Sequence, residues 1–166
     1  MSEAAPEGGG LPPPMLYLDD IVVGERARCG PYEVTRDEVV DFARRYDPQP
    51  FHLDEAAAAA NPLFGRLSAS GGHSFAMALA LLARHQRETG LSPSILGGIG
   101  IDELRWLKPV YPGDMLDIVA EAAAATPSRS KPDRGVLKTL VTVLRRPDEP
   151  VLRFMVIALV RRRPAD

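Results

Sequence analysis

The chain has one cysteine, Cys29, and one tryptophan, Trp106, in 166 residues, and only 6% of it is aromatic. A lone cysteine excludes an internal disulfide framework and a cysteine-based zinc site. No apolar run approaches the roughly 18 residues that a membrane-spanning helix requires. Met1 to Pro14 carries neither a basic segment nor an apolar one, so no secretory signal is expected there. An excess of one charge is missing too. Twenty Lys+Arg stand against 22 Asp+Glu, a net charge of −2, which gives no long-range pull toward nucleic acid or an anionic membrane surface. What is present is ordinary for a globular chain: 45% hydrophobic and 25% charged residues, a balance that argues against disorder, collagen or a coiled coil. The length is that of one domain with a core of normal size. The expectation is a soluble cytoplasmic domain with no nucleic-acid or membrane partner.

Residues 1–14 (MSEAAPEGGGLPPP) offer almost nothing to bury and are expected to form a disordered lead, with a single domain over 15–163. A strand is expected from Glu25 to Val34. Thr35 then stands three residues before Glu38, the capping-box spacing, ahead of a helical stripe of Val39, Val40, Phe42 and Ala43 that runs to about Tyr46. The segment DPQPFH must end that helix, because Pro48 and Pro50 push Asp47 and Gln49 out of the α region. Asp54 can cap a short alanine-rich helix closed by Asn61-Pro62. After Ser70-Gly71-Gly72, the run HSFAMALALLARHQRET is apolar on nearly every side, so this helix is expected to be central and wrapped, with Gly90 as its stop. Four strand patterns follow: Ile95–Val110 with the glycines of LGGIG, Met115–Ala125, Val136–Arg145 and Val151–Arg162. The fold class is therefore α+β, an antiparallel β-sheet wrapped around a long central α-helix.

The spacing that bears chemistry is Asp47-Pro-Gln-Pro-Phe-His52. It places a carboxylate and an imidazole five positions apart on a loop stiffened by two prolines, which lower the cost of holding two side chains in one geometry. An acid–base pair needs such positioning, since both groups must reach one water or one proton. Histidine exchanges protons near neutrality, and an aspartate can orient it or share its water. The plainer reading makes Asp47 a helix terminator and His52 a polar loop residue. His73, in the first turn of the central helix, reads as a packed and hydrogen-bonded residue, and His85 as a solvated one. Cys29 and Trp106 read as packing residues on strands. The tail RRR (Arg161 to Arg163) reads as exposed, and the loop holding Arg129, Lys131 and Arg134 as solvated. The three histidines lack the compact spacing of a metal site.

Three ordered segments resemble one family. YDPQPFH is similar to the hydratase motif D-x-N-P-x-H of MaoC-like dehydratases and (R)-specific enoyl-CoA hydratases: Asp47, Pro50 and His52 match, and Gln49 stands where the family has Asn. GRLSASGGHSFAMAL is similar to the family's segment entering the central helix, with Ala69-Ser70-Gly71 at its step. LRWLKPVYPGDML is similar to its strand–turn–strand with Pro-Val-x-x-Gly-Asp.

The resemblance implies a hot-dog fold, a homodimer or higher homo-oligomer, and an acyl-CoA thioester as substrate with no cofactor or metal. The implied reaction is reversible addition of water to a trans-2-enoyl thioester. Asp47 and His52 would hold the water, and the charge developing on the thioester oxygen needs an oxyanion stabiliser. The start of the buried helix offers free N–H groups there. Gly71 fits because its backbone, lacking Cβ, can approach a ligand closely, and a tight turn before a packed helix is the alternative reading of Gly71-Gly72. Ser70 and Gln49 complete the candidate substrate-binding set. Two other activities stay open: a hot-dog acyl-CoA thioesterase, which would aim a carboxylate at the carbonyl, and a non-catalytic acyl-thioester-binding module.

Overall fold

The computed structural model describes residues 12–165, so residues 1–11 of the expected lead lie outside the described residues. Strand β1 spans Arg26–Glu33, and helices α1 (Arg36–Tyr46), α2 (Pro50–Leu53), α3 (Glu55–Ala60) and α4 (Gly71–Thr89) follow. Strands β2 (Ile95–Trp106), β3 (Met115–Pro127), β4 (Arg134–Arg145) and β5 (Glu149–Arg161) complete the chain. The strands form one antiparallel sheet in the order β1-β3-β4-β5-β2. It curls over α4 in the hot-dog arrangement, as expected.

Strict alternation in β4 turns Leu137, Val141 and Val143 inward, and the β5 register brings Phe154 opposite Val141. Val141, Val143 and Phe154 meet Met77, Ala78 and Leu81 of α4, together with Leu116 and Ile118 of β3. Phe75 lies edge-on to Phe154, with ring centroids 4.9 Å apart. A smaller core of Leu18, Leu91, Leu137, Ala158 and Val160 lies apart from this main cluster. Cys29 is buried on β1, as expected. At about 25 cal/mol per Å² of apolar area removed from water, this seam holds the helix in the sheet.

The structure corrects several expectations. The segment after Asp47 is not all loop: Pro50–Leu53 closes a helical turn with Pro50 in its first positions, where a missing N–H costs nothing. Only half of the capping box forms. Thr35 Oγ1 accepts from the Glu38 N–H, but the Glu38 carboxylate accepts the Tyr32 hydroxyl hydrogen and faces His73 Nε2 at 3.3 Å. β2 ends at Trp106 rather than Val110, because the N–H groups of Leu107 and Lys108 turn to the Val151 carbonyl. Helix α4 is not buried all round: Gly72, Ala76 and Ala80 are exposed, and the two alanines line a groove of about 650 Å³ between α1 and α4. Alanine exposes little apolar surface, so an open stripe there is cheap. His85 is half-buried, not solvated. Arg161 and Arg163 are exposed, as expected of the tail, while Arg162 is half-buried and pairs with Asp19, and Arg163 pairs with Asp20.

Candidate functional site

The site is assembled at the N-terminus of α4 by three local devices. Asp47 is the C-cap of α1, with its N–H bonded to Ala43 O. The α2 turn then swings His52 inward, where the ring is buried. Ser70 is the N-cap of α4, and its Oγ accepts from the Gly72 N–H at 3.2 Å.

These devices bring four of the five expected residues together. His52 Nε2 stands 3.6 Å from Asp47 Oδ2, and Ser70 Oγ donates to that same Oδ2 at 2.6 Å. His52 and Gly71 line one cavity of about 310 Å³, whose other walls include Leu63, Phe64, Trp106 and Val110. No acceptor among the described residues takes the Gly71 N–H, as expected for the first turn of a helix. Gln49 is the exception. Its side chain is exposed and makes no hydrogen bond among the described residues, while its backbone carbonyl accepts from His52 N at 2.9 Å and so shapes the turn.

The partners of the imidazole fix its tautomer. Nδ1 lies 2.8 Å from the Ser68 carbonyl oxygen, which can only accept. Nδ1 therefore carries the hydrogen in the neutral ring, and Nε2 presents its lone pair to Asp47. The Asp47 carboxylate is also an acceptor and keeps about a third of its side chain exposed. Two acceptors facing each other at a distance too long for a direct hydrogen bond call for a donor with two hydrogens. A water fits that requirement.

Two contributors were not legible as site residues. Ser68 carries no motif signal, yet its carbonyl orients the imidazole. Trp106, expected to be packing, is half-exposed and donates Nε1–H to Gly71 O at 2.9 Å. A Cβ on Gly71 would lie 2.8 Å from the indole, so glycine is required here for a close approach. The groove of about 650 Å³ between α1 and α4 has Tyr32, Glu38 and His73 among its lining residues. His73 is buried and stacked on Phe42, at 4.7 Å between centroids, and its Nδ1 has no hydrogen-bond partner among the described residues. Burial, with the Glu38 hydrogen bond adding to it, pushes the Tyr32 hydroxyl up to about 12. Among the described residues no group of three or more His, Cys, Asp or Glu is placed to hold a metal ion.

A curled antiparallel sheet, a buried central helix and a carboxylate–imidazole pair at that helix's start define the class of protein: a hot-dog protein with a polar pair beside an apolar cavity. A family model described as MaoC like domain matches residues 22–143, and the chain belongs to that family. It is 38% identical to the MaoC-like dehydratase from Rhodospirillum rubrum, whose crystal structure superposes with a TM-score of 0.81 over 90% of this chain and 99% of that one. It is 27% identical to the uncharacterized protein YdeM of Bacillus subtilis, over 89% of this chain and all of that one. The fold is also that of the unliganded (R)-hydratase PhaJ1 from Pseudomonas aeruginosa, with 23% identity, a TM-score of 0.68, and 89% and 86% of the two chains covered.

Proposed function

We propose that this protein adds water reversibly to the double bond of a trans-2-enoyl thioester, giving a 3-hydroxyacyl thioester, and that Asp47 and His52 are its catalytic residues. The observation that carries this reading is the pair of acceptors held face to face, Asp47 Oδ2 and His52 Nε2, 3.6 Å apart. A water seated against both gives one hydrogen to each and turns its oxygen lone pair toward the β-carbon. One member of the pair takes a water proton as the C–O bond forms, and the pair returns a proton to the α-carbon, so water adds across the bond with no net change in charge.

Between those steps negative charge moves onto the thioester oxygen. The free Gly71 N–H, at the positive end of the α4 dipole and on the wall of the cavity that His52 lines, is where that oxygen belongs. The apolar side chains of Leu63, Phe64 and Val110 suit an acyl chain. The 38% identity to a protein named MaoC-like dehydratase supports the same chemistry.

The reading includes a homodimer. β2 is an edge strand, and Leu96, Ile99 and Ile101 are exposed along it. An unpaired edge bearing apolar side chains is covered when a second β2 pairs with it. Among the described residues no helix is long and apolar enough to cross a membrane. A cytoplasmic location and an acyl-CoA substrate complete the proposal.

Crotonyl-CoA tests it. Loss of absorbance at the enoyl thioester band is the expected result. Release of free thiol instead would replace hydration with thioester hydrolysis. Neither signal, together with a ligand-dependent rise in thermal stability, would leave a binding module.

A further inference from the structure

Trp106 stands at the end of β2 with 53% of its surface exposed, so packing alone does not account for its place. Its single polar atom, Nε1, donates to Gly71 O at 2.9 Å. The peptide that carries this carbonyl also carries the Gly72 N–H, which donates to Ser70 Oγ at 3.2 Å. With that N–H on one of its lone pairs, the Ser70 hydroxyl directs its only hydrogen to Asp47 Oδ2 at 2.6 Å. Oδ2 is the atom that faces His52 Nε2. The donors therefore run in one direction, from indole to peptide to hydroxyl to carboxylate. Hydrogen bonds aligned in this way polarise and strengthen one another.

The chain is anchored at both ends and in the middle. The Ser70 carbonyl accepts from Ser74 N at 2.9 Å and from Ser74 Oγ at 3.2 Å, which fixes the N-cap to the first turn of α4. The absence of a side chain at Gly71 admits the indole, because a Cβ there would lie 2.8 Å from both Nε1 and Cε2. Asp47 is held by Ser70 at Oδ2, the same oxygen that stands 3.6 Å from His52 Nε2.

We infer that Trp106 is a positioning residue for the reaction: through the Gly71–Gly72 peptide and the Ser70 hydroxyl it sets the orientation of the Asp47 carboxylate. This rests on the hydratase reading above. The role is that of a clamp on the catalytic carboxylate, and it requires the indole N–H rather than the ring's bulk.

Trp106→Phe separates the two, since it keeps an aromatic ring and removes the donor. In the full chain hydrating crotonyl-CoA, we expect kcat to fall about tenfold, the worth of one hydrogen bond. KM should stay within about twofold, because phenylalanine keeps an apolar ring on the cavity wall that Trp106 lines. The exposed position keeps the thermal midpoint close to that of the unaltered protein. The deciding readout is the double variant. If Trp106 acts through Ser70, adding Trp106→Phe to Ser70→Ala lowers kcat no further. Losses that multiply, a kcat equal to that of the unaltered protein, or a change confined to KM would each overturn the positioning role while the hydratase reading stands. An unaltered chain that hydrates no 2-enoyl thioester would remove the hydratase reading and the positioning role together.

Discussion

Ser70 Oγ and Asp47 Oδ2, 23 residues apart in sequence, are joined by a 2.6 Å hydrogen bond. One hydroxyl thus serves two elements, since it caps α4 through the Gly72 N–H and holds the carboxylate that ends α1. Ser70→Ala is expected to lower stability by about 1 kcal/mol through loss of the cap. It should lower kcat up to about 10²-fold, because a carboxylate freed by an ångström loses its reaction geometry. Thermal melts and steady-state rates on the same preparation check both.

Asp47→Asn removes the proton-accepting carboxylate and His52→Ala the imidazole that together seat the water. Each is expected to lower hydration by at least about 10²–10⁴-fold, the range for loss of a positioned acid or base. Circular dichroism should show an unchanged fold. Full activity in both variants would refute the assignment.

Gly71→Ala tests how closely the indole sits on the helix start. The added Cβ would lie 2.8 Å from the ring, and the half-exposed Trp106 has room to swing outward. Activity should fall while stability changes by about 1 kcal/mol or less. Trp106 is the only tryptophan of the chain, so its fluorescence reports the displacement directly, as a shift of the emission maximum to longer wavelength.

A pH effect on stability is expected from Asp117, which is not among the site residues. This buried carboxylate accepts from Arg146 Nε and Nη2 at 3.0 Å, and from Arg28 Nη2 at 2.7 Å. The Arg146 hydrogen bonds hold its pKa below the ordinary carboxylate value. Arg28 adds to them, and together they outweigh the opposing effect of burial. A depressed folded-state pKa contributes stability above the unfolded value of about 3.9, and that contribution is lost as pH falls through the folded value. Asp117→Asn should therefore cost about 2 kcal/mol at neutral pH, and the gap to the unaltered protein should narrow at an acidic pH below the ordinary carboxylate value. Urea denaturation at both pH values measures it.

Ile99→Lys together with Ile101→Lys places two charges on the β2 edge. If that edge joins two copies, sedimentation should show the unaltered chain as a dimer and the double variant as a monomer. Charged side chains on an edge strand oppose pairing. An unaltered chain that sediments as a monomer would rule out this interface.

Much of the fold was legible in local residues. Thr35 and Asp54 cap α1 and α3, and Gly90 ends α4 with φ +83°, because each of these is decided within a few residues. The alternation in β4 fixed its inward face for the same reason. Alanines 122–125 favour a strand poorly, yet they lie in β3. Pairing with β4, Ala122 against Thr139, Ala124 against Lys138 and Ala125 against Leu137, decides that.

The sequence by itself determined that a carboxylate and an imidazole would lie close, because Pro48 and Pro50 restrict the few residues between them. It also determined that a long apolar helix would need a sheet around it. Tertiary structure alone decided what those groups face. The Ser68 carbonyl chooses the tautomer of His52, Ser70 holds Asp47, and Trp106 reaches Gly71 from 35 positions away. Hydrogen bonds between distant segments depend on how the sheet curls over the helix, and no periodicity or local propensity encodes that curvature.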